Sequence, residues 1–328
     1  MKKQGSLLLA IALAAGVCLS GCKGSQEAEA RTAITEAAKT EVVMSETDRE
    51  SQTEEETSAE KMNPSSDTVL LAVSFGTSYN DSRDITIGAV EKAIADAFPQ
   101  YEIRRVFTAQ IIIDKLKERD GLEIDNMTQA LERALADGIK NLIVQPTHLM
   151  DGYEYNDVLK ELEEYRESFD QVVVGKPLLD SDEDFETVAQ ALVETIKDRD
   201  DGETAIVFMG HGTEAESNQV YERLQRTLTE SGFENYYIGT VEAKPDLLEI
   251  LAALKEAGSY KKVILRPLML VAGDHANNDM AGEEEDSWKS VLESEGYQVE
   301  CQIHGLGELE AIRELYVDHA KAAAELLK

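Results

Sequence analysis

Five histidines occur in the 328 residues, and three of them, His148, His211 and His275, stand just beyond short apolar runs that read as β-strands. That placement matters because ligands of α/β sheets bind outside the carboxyl ends of the strands. His211 lies between Gly210 and Gly212, which permit a sharp turn and let a ligand approach the ring. An imidazole there can hold a borderline divalent metal or accept a proton near neutral pH; the plainer alternative is a turn histidine capping a helix. His275 follows Leu270-Val271-Ala272-Gly273-Asp274, and Glu242 closes the run Tyr237 to Val241. Their separations match no local ligand motif, so placement at three successive strand ends is what links His211, Glu242 and His275. Glu154, in Asp151-Gly152-Tyr153-Glu154, could set a carboxylate across the cleft for a metal or a proton, or simply open a helix. His148 is a weaker candidate. His319, on the Ile312, Leu315, Tyr316 face of the last helix, reads as a core or interface residue, and His304 ends a strand without an assigned role.

The elements that must position these residues alternate strand and helix from Thr68 onward, which predicts a parallel sheet covered by helices. Val69 to Phe75 runs into Gly76-Thr77, and Asp81 can cap a helix carrying Val90, Ile94 and Phe98. Ile103 to Phe107, a helix around Leu131 and Leu135 stopped at Gly138, Leu142 to Val144 and Val172 to Val174 follow. The second half repeats the order: Ala205 to Met209, a helix marked by Val220, Leu224 and Leu228, Tyr237 to Glu242, a Leu-rich helix with Pro245 in its first turn and Gly258 at its end, Val263 to Leu265, and Val299 to Ile303. Phe75-Gly76-Thr77 pairs with His211-Gly212-Thr213, Pro146 with Pro267, Gly152 with Gly273, and Glu154 with His275, while His148 pairs with Met269. Kept order with a shifting offset points to an old duplication. The expected fold is α/β, with two similar lobes, each a mainly parallel sheet flanked by helices, facing a cleft.

Composition narrows the task. The formal charge is −33, so a nucleic-acid backbone is excluded as the main partner, since such binders need a basic face. Neither Gly-rich turn fits a dinucleotide or phosphate-binding loop, and Ser74-Phe75-Gly76 lacks the hydrolase elbow. The three cysteines, Cys18, Cys22 and Cys301, allow no disulfide framework; Cys301 reads as a small buried hydrophobe. Lys2-Lys3 and the apolar run Leu7 to Leu19 form a secretory signal, too short for a comfortable membrane span. It closes on Leu19-Ser20-Gly21-Cys22, which looks like a lipobox that leaves Cys22 to carry the lipid. Residues 23–66 hold 11 acidic and 5 basic side chains with almost no large apolar ones, the composition of a solvated tether. The expected organisation is therefore 1–21 signal peptide, 22–66 acidic disordered tether, 67–198 first lobe and 199–328 second lobe carrying the metal ligands. The address is an exported protein, lipid-anchored on the outer side of the cytoplasmic membrane or in the periplasm.

Over residues 68–328 the chain resembles the anaerobic cobalt chelatase family, the sirohydrochlorin cobaltochelatases of the class II chelatases. The stretches that carry the likeness are Val73-Ser74-Phe75-Gly76-Thr77-Ser78-Tyr79, Phe208-Met209-Gly210-His211-Gly212, Pro267 to Ala276, Asn278-Asp279-Met280-Ala281 and Asp286-Ser287-Trp288-Lys289. The resemblance implies insertion of Co2+ into sirohydrochlorin in oxygen-independent cobalamin synthesis, with the tetrapyrrole between two α/β lobes. It implies His211, Glu242 and His275 as metal ligands, His211 also as proton acceptor, and Glu154 as a further acidic site residue. The export signal departs from what a biosynthetic chelatase beside cytoplasmic precursors would carry.

Chemistry agrees with that reading, since metal insertion strips two pyrrole N–H protons while the ion sheds water, which calls for a base and a few exchangeable ligands. Arg83, Arg104, Lys244 and Arg266 are the candidate cations for a polycarboxylate substrate that an acidic domain otherwise repels. The alternative is an envelope lipoprotein that binds a metal or tetrapyrrole for uptake without turnover; a generic solute-binding lipoprotein is disfavoured by the His211, Glu242, His275 constellation. The ligand set suits Co2+, Fe2+, Ni2+ and Zn2+ alike, and assembly into an oligomer is left open.

Overall fold

The computed structural model describes residues 67–328, so the signal peptide, the tether and Cys22 lie outside the described residues. Two four-stranded sheets carry the architecture. The first contains β1 (Thr68–Ser74), β2 (Glu102–Phe107), β3 (Asn141–Pro146) and β4 (Gln171–Val174) in the order β2-β1-β3-β4. The second contains β5 (Thr204–Gly210), β6 (Tyr236–Thr240), β7 (Lys262–Pro267) and β8 (Gln298–Cys301) in the order β6-β5-β7-β8. Every pairing is parallel, as the alternating sequence pattern predicts.

β1 and β5 are fully buried because they are central and covered on both faces, which is why they read as continuous apolar runs. Leu70 and Ala72 point into one core cluster, and Val69, Leu71 and Val73 into another on the opposite face. Ile206 and Phe208 join the first of these clusters, so a single core passes between the two sheets. A Leu-to-Ala change at such a site costs about 2–5 kcal/mol.

The helices are α1 (Asn80–Ile85), α2 (Ile87–Ala97), α3 (Gln110–Asp120), α4 (Met127–Ala136), α5 (Tyr153–Tyr165), α6 (Asp182–Glu194), α7 (Gln219–Glu230), α8 (Leu247–Ala257), α9 (Trp288–Ser294) and α10 (Glu310–Ala324). α10, the last in the chain, packs on α2, β3 and β4 of the first sheet. α6 packs on α7, and the carbonyl of Thr195 at its end receives Arg266 of β7. α10 thus follows the second sheet in sequence and covers the first, while α6, which follows the first sheet, packs on α7 and α10. The hydroxyl of fully buried Tyr316 on α10 donates to the carbonyl of Thr147, 2.9 Å away, at the end of β3.

Two local expectations need correction. Asp81 caps no helix carrying Val90: it lies in the first turn of α1, and the chain breaks at Thr86 before α2 begins. Gly305 and Gly307 press against Thr86 so closely that a methyl group on either would lie 2.8–2.9 Å from it. Pro245 is not in the first turn of α8. Asp246 is the N-cap, accepting from Leu248 and Glu249, and the Pro245 carbonyl instead accepts the Thr240 N–H at 2.7 Å.

The duplication is written in the backbone. Thr147 N–H donates to Val73 O and Leu268 N–H to Met209 O; Leu178 N–H donates to His148 O and Leu306 N–H to Met269 O. Gly76 and Gly212, the paired turn glycines, both take positive φ, 101° and 87°.

Candidate metal centre

β5 delivers His211 to the carboxyl edge of the second sheet. Gly210 is required there because a Cβ would fall 2.3 Å from the buried Tyr221 ring, and Gly212 because its φ is left-handed and a Cβ would meet the Ala243 nitrogen at 2.8 Å. The Tyr221 hydroxyl accepts the Gly212 N–H at 3.2 Å. Beyond the ladder proper, Val241 N–H donates to Gly210 O at 3.0 Å and Glu242 N–H to His211 O at 2.9 Å, so the backbones of His211 and Glu242 are tied directly together.

His275 opens a π-helical turn, Ala276–Met280, in the loop after β7. Asn277 Nδ2 donates to Gly273 O at 2.7 Å and holds the loop's entry. Ala272 N–H donates to Ser82 Oγ at 3.1 Å and Tyr79 OH to Asp274 Oδ1 at 3.3 Å, so the loop after β1 braces the loop that carries His275. Burial, and then the Asp274 carboxylate, raise the Tyr79 phenol above its ordinary range.

The two imidazoles meet edge to face with ring centroids 4.7 Å apart. His211 Nδ1 lies 2.9 Å from the Gly212 carbonyl and His275 Nδ1 lies 2.8 Å from Asp279 Oδ2. Both acceptors assign the proton to Nδ1, which leaves each Nε2 lone pair free. One donor atom from each of His211, Glu242 and His275 falls within 4.8 Å of the others, the only such group among the described residues. Ligands about 2.0–2.1 Å from a shared ion stand about 3–3.5 Å apart, so a small side-chain closure completes the set. The side chains are 43%, 56% and 32% exposed, an open arrangement that leaves room for exchange and for a second ligand set.

Glu154 is not in that cluster. It is an exposed residue in the first turn of α5, yet it acts on the same region, because burial and then the Glu154 charge push the Tyr221 hydroxyl up to about 12. His148 is apart as well: both ring nitrogens are buried with no hydrogen-bond partner among the described residues, and burial pushes it down to about 4. His304 faces Glu308 at 2.8 Å, and His319 bridges α10 to Asp184 and the Lys176 carbonyl, each at 3.2 Å.

The candidate cations divide. Arg104 pairs with Glu102 and Asp137 at the far end of β2, and Arg266 is buried against Thr195 and Gln302; neither faces the strand ends. Arg83 is buried on α1, while Lys244, two residues past Glu242, is held by Asp246 at 2.6 Å. Residue typing missed Asp279, although its spacing of one helical turn from His275 is a readable signal. It also missed Tyr79 and Tyr221, whose roles depend on contacts far apart in sequence.

The chain matches the family described as cobalt chelatase (CbiK) over residues 68–325. It is 38% identical over 257 residues to the sirohydrochlorin cobaltochelatase of Salmonella typhimurium, covering 78% of this chain and 96% of that protein. The chain belongs to the CbiK cobalt chelatase family. A second member, sirohydrochlorin cobaltochelatase CbiKC of Nitratidesulfovibrio vulgaris, is 32% identical over 260 residues, 79% of this chain and 91% of that one. The fold of this cobalt chelatase is also that of SirB from Bacillus subtilis with Fe3+, with a TM-score of 0.54 at 14% identity, covering 79% of this chain and 96% of SirB.

Proposed function

We propose that this protein is a sirohydrochlorin cobaltochelatase that inserts Co2+ into sirohydrochlorin, and that it does so as an exported lipoprotein held by lipid on Cys22. The observation that carries the reading is the convergence of His211, Glu242 and His275 at an open strand-end edge. In the reaction Co2+ enters the ring and two pyrrole protons leave. His211 serves both halves of that exchange. As the ion passes from Nε2 to a ring nitrogen, the freed lone pair takes a pyrrole proton, and the resulting imidazolium is stabilised by the Gly212 carbonyl and by Glu242, whose Oε2 is 3.8 Å from Nδ1. Glu154, whose charge reaches Tyr221, is the residue to which we assign the second proton.

The signal and Cys22 favour a second reading, an envelope protein that binds metal or tetrapyrrole for uptake without turnover. The test is anaerobic incubation of the full chain in detergent with sirohydrochlorin and Co2+, following the absorption change, beside Co2+ titration of His211→Ala and His275→Ala. Turnover by the parent and loss of metal binding in both variants are expected. Variants that bind Co2+ like the parent would move the site elsewhere. A parent that binds but never inserts Co2+, Fe2+ or Ni2+ would leave the uptake reading. Cys22→Ala is expected to abolish lipid labelling; unchanged membrane retention with an intact N-terminus would remove the lipoprotein assignment.

A further inference from the structure

Asn218 stands at the N-cap of α7, where an asparagine side chain ordinarily caps the helix, yet it makes no cap bond. Its carboxamide is turned into the two loops that carry His211 and Glu242. Oδ1 accepts the Thr213 N–H at 3.0 Å, and Nδ2 donates to the Lys244 carbonyl at 2.7 Å. Both partners are backbone groups, a donor on one side and an acceptor on the other, so only a carboxamide answers both. Thr213 N–H and the Gly212 carbonyl belong to one planar peptide, and fixing the N–H fixes the direction of the C=O. That carbonyl is the one that receives the His211 Nδ1–H at 2.9 Å. Gly212, at φ 87°, has no side chain to restrain the peptide, so the restraint has to come from outside the turn. Lys244 stands two residues past Glu242, whose own N–H is bonded to His211 O. One side chain therefore sets both the peptide that orients His211 and the exit of the loop that carries Glu242.

The first sheet repeats this frame without the ligands. Thr108 N–H donates to Ser74 O at 2.9 Å and Ala109 N–H to Phe75 O at 3.2 Å, as Val241 does to Gly210 O and Glu242 to His211 O. Thr77 Oγ1 accepts the Tyr79 N–H and Thr213 Oγ1 the Ala215 N–H, each at 3.2 Å. In that register Phe75 and Ala109 hold the places of His211 and Glu242, and Ser82 holds the place of Asn218. The Ser82 hydroxyl takes the Ala272 N–H from the other half of the chain. The contact that joins two loops accompanies the ligand pair and is replaced where the pair is replaced.

We propose that Asn218 is a positioning residue of the metal centre, a clamp that holds the His211 tautomer and the spacing of His211 and Glu242. The assignment rests on the metal-centre reading above and adds to it a residue that does not touch the ion. With Nδ1–H held on the Gly212 carbonyl, the Nε2 lone pair is kept for the metal. If the peptide swings away, the proton is free to move to Nε2 and the ring to rotate, which removes a ligand atom while the histidine stays in place. Tyr221, three residues further along α7, accepts the Gly212 N–H at 3.2 Å and keeps the turn folded when Asn218 is lost.

The test uses the full chain in detergent, with its histidines labelled with 15N, and Co2+ alone. Asn218→Ala is expected to weaken Co2+ binding about tenfold, the lower end of the range for residues behind metal ligands, because the side chain is only half-buried. In the metal-free variant the His211 ring is expected to shift from the Nδ1–H toward the Nε2–H form, which the nitrogen resonances distinguish. Asn218→Asp keeps the acceptor for Thr213 and loses the donor to Lys244, so it is expected to keep the parent tautomer. The urea midpoint of metal-free Asn218→Ala is expected to stay near that of the parent. Co2+ affinity within about twofold of the parent in Asn218→Ala overturns the clamp. An affinity loss with the parent tautomer retained in Asn218→Ala also overturns it, as does a tautomer change shared by Asn218→Asp together with earlier unfolding, which makes Asn218 a scaffold residue. Both readouts use Co2+ or no metal, so they decide the clamp whether or not the parent inserts the ion into sirohydrochlorin. A parent that binds no Co2+ overturns the metal centre and the clamp together.

Discussion

Removing the carboxylate behind His275 tests whether the metal centre is built as the geometry indicates. Asp279 Oδ2 accepts the His275 Nδ1–H at 2.8 Å, which fixes both the tautomer and the ring rotation that turn Nε2 toward His211 and Glu242. Asp279→Ala frees the ring to rotate and lowers the basicity of Nε2. Outer carboxylates of this kind are worth about 10–100-fold in metal affinity, or about 1.4–2.7 kcal/mol. The lower half of that range is expected, because His275 and Asp279 are 32% and 43% exposed and water can replace part of the bond. Asp279→Asn keeps an acceptor oxygen and is expected to lose less than Asp279→Ala. The loop itself should survive, since Asn277 anchors it independently on Gly273 O. Competition for Co2+ against a chromophoric chelator measures the effect, with urea unfolding of the metal-free protein as control. If both variants bind Co2+ within about twofold of the parent at unchanged stability, the orientation argument is wrong and His275 is not a ligand held in this way.

Gly212→Ala places a Cβ at φ 87° and 2.8 Å from the Ala243 nitrogen, and is expected to cost about 2–4 kcal/mol in urea unfolding and to weaken Co2+ binding. Gly121→Ala, with φ 67° and open space around it, is the control and is expected to show backbone strain alone. His148 is neutral when folded, with its ring pushed down to about 4, whereas the unfolded chain takes up that proton near 6.5. The unfolded state therefore binds more protons between those values, and the stability contribution, complete above pH 6.5, is lost as pH falls toward 4. His148→Met, which copies the paired residue Met269, is expected to flatten the pH dependence of unfolding in that window; an unchanged slope would show that His148 does not report its burial.

The central strands β1 and β5 were legible as continuous apolar runs because they are buried on both faces, whereas β2 and β8, half-buried, were marked only by Ile103 to Phe107 and by the alternation of Val299 and Cys301. The pairing of the halves was legible too, since Gly76 with Gly212 and Pro146 with Pro267 mark equivalent turns. α3 and α6 went unread: α3 is Gln110-Ile-Ile-Ile followed by a charged stretch with only Ile113 and Leu116 buried, which leaves little helical periodicity to see. That α10 covers the sheet of the other half has no local signature, because an apolar helix face does not name the sheet it meets. The three candidate ligands that the structure brings together were legible from strand-end placement. Arg104 and Arg266 were misplaced as cleft cations because register within β2 and burial within β7 decide which end a side chain serves. That Phe75 and His211 hold equivalent backbone places was hidden by their types, since only the shared hydrogen-bond pattern relates them.

The asymmetry of the two halves follows from the charge problem. With a formal charge of −33 the protein attracts Co2+ and repels a polycarboxylate. Two of the candidate cations do little to reverse this, since Lys244 is engaged by Asp246 and Glu249 and Arg83 is buried beside Asn80 and Asp84. Contact with the uncharged face of a macrocycle is the contribution that salt does not screen and a net negative field does not oppose. Two identical metal-binding walls would hold two ions and leave no apolar surface for the ring. The second sheet keeps His211, Glu242 and His275 together, and the first carries Phe75 and Ala109 in the same backbone frame, so only one of the two strand-end edges can offer an ion these ligands.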